Sequence, residues 1–217
     1  MENSRAIVRG FVFTWIALLV VAIAALLLNE KLALHARINC CHVPMLEAFF
    51  SKFTHVADGL VPTVLALLLL IVRDVRSFLM VGLSCGMSAV IAQMLKRVFF
   101  ADAGRPSVHR EALGAMDWVE GIDLHAMHSF PSGHSTAAFS MCLALAVVFG
   151  QRNWAVPFAL LAALLAFSRV YLSQHFLVDI TAGSAIGTLT AVAVAYWLYQ
   201  SPFARKPWLT RRLFRRG

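Results

Sequence analysis

Three stretches of the sequence carry side chains whose types and spacing could do chemistry together. The first holds Lys96, Arg97 and Arg105, with Pro106 following; the second is Phe130-Pro131-Ser132-Gly133-His134; the third runs from Ser168-Arg169 to His175 and Asp179. Pro131 disfavours helix in the residue before it, and Ser132 suits an N-cap, so the second stretch reads as the mouth of a helix. The free N–H groups of that first turn and the positive end of the helix dipole make such a mouth a phosphate site, with His134 inside the turn. On the pentapeptide alone, a plain capped helix without chemistry is the default reading. The third stretch changes the balance. His175 and Asp179 share a face if a helix begins just before His175, so that Asp179 accepts from one imidazole nitrogen and leaves the other free. Lys96, Arg105 and Arg169 add cations, while Ser132 and the amides of Gly133 and His134 add neutral donors. That set suits the spread negative charge of a phosphoryl group in flight. His175 is then the candidate nucleophile, held by Asp179, and His134 the candidate acid and base at the leaving oxygen. Fixed cations supply the charge, so neither a cofactor nor a metal is expected.

The elements that must position these residues are membrane helices. Hydrophobic residues make up 60% of the 217, and mean hydropathy is +0.75. A span needs roughly 20 apolar helical residues. Six blocks approach that length, at about 11–28, 55–72, 78–95, 135–149, 154–171 and 180–199. The fourth is short, so its helix should begin at the Ser132 cap. The expected architecture is an all-α, six-helix transmembrane bundle forming one domain over 1–217. Its motif-bearing core is about 78–200, with a basic tail at 201–217.

A net charge of +8 does not imply nucleic acid here, because the basic residues lie in short links and in the tail. With a cytoplasmic N-terminus, the inner segments hold Arg5, Arg9, Arg73, Arg76, Arg152, Arg205, Lys206, Arg211, Arg212, Arg215 and Arg216, eleven of the nineteen Lys and Arg. The positive-inside rule thus favours both termini in the cytoplasm of a plasma (inner) membrane protein. The first block reads as an uncleaved signal anchor. With this topology all three chemical stretches face outward, toward the periplasm or cell exterior, and chance would scatter them over both faces.

The remaining segments read as support. Residues 29–54 mix charges with helix-spaced aromatics, as an interfacial segment does. Gly82, Ser84, Gly86, Ser88 and Ala89 in the third block should let a neighbouring helix approach closely. The stretch 96–131 reads as a loop; its acidic residues and histidines lack the Glu-x-x-His or His-Glu-x-x-His spacing of a metal site. The four cysteines lack zinc-like spacing; Cys85 and Cys142, inside spans, read as structural thiols, while Cys40 and Cys41 form an adjacent pair in an outer loop to which that reading does not extend.

On these residues the sequence resembles the type 2 phosphatidic acid phosphatases, relatives of vanadium haloperoxidases. Their pattern is Lys-x6-Arg-Pro, then Pro-Ser-Gly-His, then Ser-Arg-x5-His-x3-Asp. Pro131 to His134 match the second block, and Ser168, Arg169, His175 and Asp179 match the third. Arg105-Pro106 match the end of the first block, but eight residues separate Lys96 from Arg105 and seven separate Arg97 from it. Lys96 is the favoured phosphate ligand and Arg97 the alternative. The resemblance covers the last 125 residues, roughly, and implies metal-independent phosphomonoester or diphosphate hydrolysis through a phosphohistidine. An outward site in a protein with hardly any soluble mass points to a membrane lipid phosphate. Phosphatidylglycerophosphate, phosphatidate, undecaprenyl diphosphate and the phosphate of lipid A are the candidates. A phosphotransferase using the same histidine is a close variant. A phosphate transporter is poorly supported, since few charges continue through the spans. A haloperoxidase would lack its soluble scaffold.

Overall fold

The computed structural model describes residues 2–114 and 116–213. Arg215 and Arg216 of the expected basic tail lie outside the described residues. No strand occurs among those described, and the chain is all helical: α1 (Glu2–Leu28), α2 (Lys31–Ile38), α3 (Pro44–Phe53), α4 (Leu60–Val72), α5 (Val75–Met94), α6 (Arg110–Leu113), α7 (Gly133–Phe149), α8 (Ala155–Tyr171) and α9 (Leu177–Tyr199). Local sequence explains most boundaries. Asp74 caps α5 by accepting from the Ser77 amide at 2.8 Å. Ser132 caps α7, as its residue type predicts, and Gly150 ends it in the left-handed region at φ 71°.

Four helical segments are long and apolar enough to cross a membrane: Glu2–Leu28, Val75–Phe99, Arg152–Tyr171 and Leu177–Tyr199. A fifth arises only if Pro44–Ala57 and Leu60–Val72 are taken together, and these are bent by 52°. The fourth expected block, 135–149, is α7, an apolar helix of 17 residues that begins at the Ser132 cap. The second block therefore differs from the sequence reading. Its helix does not run from residue 55; a short 3₁₀ turn, Thr54–Ala57, and Asp58 precede α4. The stretch 96–131 is mostly irregular, holding the end of a π turn at Leu95–Phe99, the 3₁₀ turn Pro106–His109 and α6 among its described residues.

At the centre stands α7, packed on α5, α8 and α9. Its closest neighbour is α9, and glycine makes that approach possible. A Cβ on Gly183 would lie 2.5 Å from the Ser132 carbonyl oxygen, and one on Gly187 would overlap the Thr136 carbonyl. Ser135 Oγ donates to the Ile180 carbonyl at 2.6 Å across the same seam. This small-xxx-small pair does what was expected of α5. On α5, Ser84 and Ser88 are buried, Ser88 donating to Ser140 of α7, but Gly82 and Gly86 border open grooves and nothing approaches Gly86. Gly187→Ala should therefore cost about 1–3 kcal/mol through overpacking, and lower the unfolding midpoint in detergent by several degrees. Gly86→Ala should leave it nearly unchanged; equal midpoints for both variants would refute the assignment of the seam.

Candidate active site

The turn between α8 and α9 builds the nucleophile's position. Ser173 adopts φ 51°, and the amides of Gln174 and His175 both donate to the Arg169 carbonyl, at 2.9 and 3.1 Å. The chain thus doubles back over Arg169 before α9 starts. His175 is not yet in the helix, which corrects the helical-face reading of the His175–Asp179 pair. Asp179 sits in the first turn of α9, and its Oδ2 accepts from the Phe176 amide at 2.9 Å and from Ser129 Oγ at 2.5 Å. His175 Nδ1 stands 3.4 Å from the same oxygen. The carboxylate that caps the helix therefore also faces the imidazole. Nε2 of His175 has no hydrogen-bond partner among the described residues.

From below, α2 braces this turn. His35 Nε2 lies 3.3 Å from Ser173 Oγ, and Asn39 Nδ2 donates to the Val170 carbonyl at 3.2 Å. Burial lowers the His175 imidazole to about 3 against the opposing pull of Asp179, and lowers His35 to about 4. Both are neutral in the fold, whereas in the unfolded chain they take up protons near pH 6.5. Between these values the unfolded state binds more protons, so stability falls as pH drops from 6.5 toward 4. Thermal unfolding in detergent should show the midpoint declining over that window. His35→Gln should flatten part of the decline; an unchanged slope would remove His35 from the account.

Around His175 the structure gathers the cations that the sequence singled out. Lys96, Arg105 and Arg169 are all buried to 9% exposure or less. Lys96 lies within electrostatic reach of Arg105, Asp179 and Arg169, and His175 within reach of Arg105 and Arg169. Arg105 is held from the loop side. Its Nε donates to the Met127 carbonyl at 3.0 Å, and one terminal nitrogen to the backbone and side-chain oxygens of Gln174, each at 3.2 Å. Arg169 donates to Thr54 Oγ1 at 3.1 Å, while its Nε is buried without a partner. Lys96 and Arg97 both line the outer cleft, with Arg105, Gln93, His125 and His128; Arg97 is exposed, whereas Lys96 is buried and within reach of Asp179 and Arg169. A π turn at Leu95–Phe99 lies in the stretch that carries the extra spacing; such a turn inserts a residue relative to an α-helix.

The opposite wall is the mouth of α7. Ser132 is fully buried; its amide donates to the Asp179 carbonyl at 3.0 Å, and its hydroxyl faces the Ser135 amide at 3.4 Å. Gly133 and His134 open the helix. His134 Nε2 stands 2.7 Å from Asp58 Oδ1, and Asp58 Oδ2 is 2.8 Å from His55 Nδ1. Sequence reasoning missed Asp58, which it placed inside an apolar span. The signal was a lone carboxylate in an apolar block, costly unless paired. Gln174 and Ser129, which hold Arg105 and Asp179, were missed as well.

The sequence matches the PAP2 superfamily over residues 77–203, and the chain belongs to that superfamily. It is an enzyme of the lipid phosphatase class, as the sequence reading expected. A lipid A 4′-phosphatase of Porphyromonas gingivalis is 26% identical over 187 residues, covering 84% of this chain and 78% of that protein. A lipid A 1-phosphatase of Rhizobium johnstonii is 33% identical over 133 residues, 59% of this chain; this chain spans about half that relative's length, 52%. Among solved structures, Aquifex aeolicus LpxE has a TM-score of 0.65 at 26% identity, over 76% of this chain and 94% of that one. The PAP2-type phosphatidylglycerolphosphate phosphatase of Bacillus subtilis shares the fold, with a TM-score of 0.59 at 20% identity, over 94% of this chain and all of that one.

Proposed function

We propose that the protein hydrolyses a phosphate group from a lipid anchored in the outer leaflet, through a phosphohistidine formed on His175. The observation that carries this reading is the imbalance of buried charge: Lys96, Arg105 and Arg169 gather around the His175–Asp179 pair, with Arg105 and Arg169 in reach of the imidazole and Lys96 in reach of the carboxylate, and the buried Arg169 Nε lacks an acceptor. An arriving phosphate supplies both the missing negative charge and the missing acceptor. Lys96, Arg105, Arg169, the Ser132 hydroxyl and the Gly133 amide bind its oxygens. His175 Nε2 attacks phosphorus, the N–P bond forms, and the P–O bond to the lipid breaks as His134 gives its proton to the leaving oxygen. Water then loses a proton to His134 and attacks phosphorus; the N–P bond breaks, releasing inorganic phosphate.

Asp58 has a place in this sequence of steps. A carboxylate at 2.7 Å stabilises the protonated imidazole that a general acid must be, and orients the ring. Asp58→Asn should lower kcat about 10–100-fold, the usual worth of acid catalysis being 10²–10⁴, with KM within a few-fold and the alkaline limb of the pH profile moved to lower pH. A variant with wild-type kcat and an unmoved limb would leave Asp58 a structural residue only.

The substrate's tail has a path. A mostly apolar groove of about 410 Å³ between α4 and α5 is lined by Gly59, next to Asp58, by Gly82 and Gly86, and by Ala137, one turn beyond His134. Relatives named for the 4′- and 1-phosphates of lipid A make a lipid A-type phosphate the first substrate to test. The decisive assay is phosphate release by the purified protein from lipid A, phosphatidylglycerophosphate, phosphatidate and undecaprenyl diphosphate, with excess chelator. Release that survives chelator supports the reading, and the best substrate names the lipid. Phosphate transferred to an acceptor alcohol without free phosphate would turn the reading to a phosphotransferase; inertness on the whole panel would sink it. The same proposal counts α7 and the bent α3–α4 pair as crossings. That makes six, with both termini cytoplasmic and the site outward. A carboxy-terminal reporter active only outside the cytoplasm should stay silent.

A further inference from the structure

The opposite end of the bundle holds a second concave site. There the start of α1, the end of α9 and the turn before α8 enclose a cleft of about 760 Å³. Its lining holds the exposed Arg5, Arg9 and Arg152, against one carboxylate, Glu2, and the half-buried Val8 and Val192 of α1 and α9, which form its floor. The cleft is held in shape by contacts between elements. Arg5 Nε donates to Gln200 Oε1 at 3.0 Å, and the Asn3 amide donates to the Gly150 carbonyl, tying α1 to α9 and to the end of α7.

Other arginines at this end are already engaged. Arg73 donates to the Val148 carbonyl at 2.8 Å and Arg76 to the Ala204 carbonyl at 2.6 Å. Among the described residues, Arg9 and Arg152 have no such acceptor and no carboxylate within ion-pair distance. A general preference for positive charge on one side of the membrane accounts for arginines at this end, but not for three of them around one cleft with an apolar floor. That shape matches an anionic phospholipid. The phosphate meets the guanidinium groups at the rim, where Arg offers planar, paired donors, and the hydrocarbon lies along the two spans. A soluble anion would gain nothing from the floor. We propose that this cleft binds the headgroup phosphate of an anionic membrane lipid in the leaflet opposite the active site.

The test is thermal unfolding of the full-length protein in detergent during titration with phosphatidylglycerol. The expected result is a saturable rise in the midpoint. In Arg9→Gln/Arg152→Gln the half-saturating lipid concentration should increase about tenfold or more, each basic residue near an anionic lipid counting for a several-fold change. The variant's midpoint without lipid and its phosphate release should stay at wild-type values. Val192→Trp, which fills the floor and keeps every charge, should weaken the response as well and guards against a folding artefact in the double variant. The proposal is overturned if both variants respond to phosphatidylglycerol as wild type does. It is also overturned if phosphatidylcholine raises the midpoint as much, or if glycerol 3-phosphate alone gives the full shift, the last marking a site for free anions.

Discussion

Replacing His175 by alanine should lower phosphate release by about 10⁴-fold or more, because in the proposed mechanism the step that forms the N–P bond has no other nucleophile to use. The geometry makes the prediction sharp. His175 is 1% exposed, its backbone is pinned to the Arg169 carbonyl, and Nε2 is the imidazole nitrogen left unengaged. Other histidines do not substitute for it: His35 is engaged with Ser173, and His134 with Asp58. Rapid quenching of wild type with labelled substrate in alkaline SDS should trap an alkali-stable phosphoenzyme that is lost on acid treatment and absent from the variant. Lipid binding should persist, since the cations remain. Residual activity within about tenfold of wild type would show that water attacks directly, with His175 only a bystander.

Asp179→Asn should reduce kcat by about 10³–10⁴-fold, the loss seen when a histidine's orienting carboxylate becomes an amide and the ring settles in the wrong tautomer. Oδ2 now receives Ser129, the Phe176 amide and His175 Nδ1 together. An asparagine can keep its oxygen toward the backbone amide, which preserves the cap of α9, but it no longer offers a charge to a proton on Nδ1. KM should therefore change only a few-fold while kcat collapses. A fall in the unfolding midpoint with kcat intact would assign Asp179 to the fold alone.

Much of this site can be read from residue types, because its parts are helix ends and their caps. Ser132 announces the mouth of α7, and the buried cations are recognisable because Lys and Arg beside apolar spans demand partners. Other features depend on distance in space rather than in sequence. The partner of His134 is Asp58, 76 residues away, and nothing local marks it as anything but a misplaced charge. The spacing of His175 and Asp179 suggested a shared helical face; the real cause is a tight turn, whose φ 51° at Ser173 no residue preference foretells. The small residues of α5 suggested a close helix seam, yet the seam formed at Gly183 and Gly187, since which glycine meets a backbone depends on how α7 and α9 cross. The count of crossings was the least legible, because α7 is short and the α3–α4 region bends at Asp58.

The seam between α7 and α9 divides the enzyme into a rigid jaw and an adjustable one. Ser132 is bonded to Asp179, Ser135 to Ile180, and two glycines bring the backbones into contact, so the first turn of α7 is fixed to the turn that carries the His175–Asp179 pair. On the proposed reading, a bulky lipid tail is accommodated on the other side, along the grooved α4–α5 wall. On that reading, the wall that would choose the tail is thus distinct from the seam that holds Asp179. Exchanging that second wall for one of another shape would change which lipid is dephosphorylated while leaving the reaction itself in place.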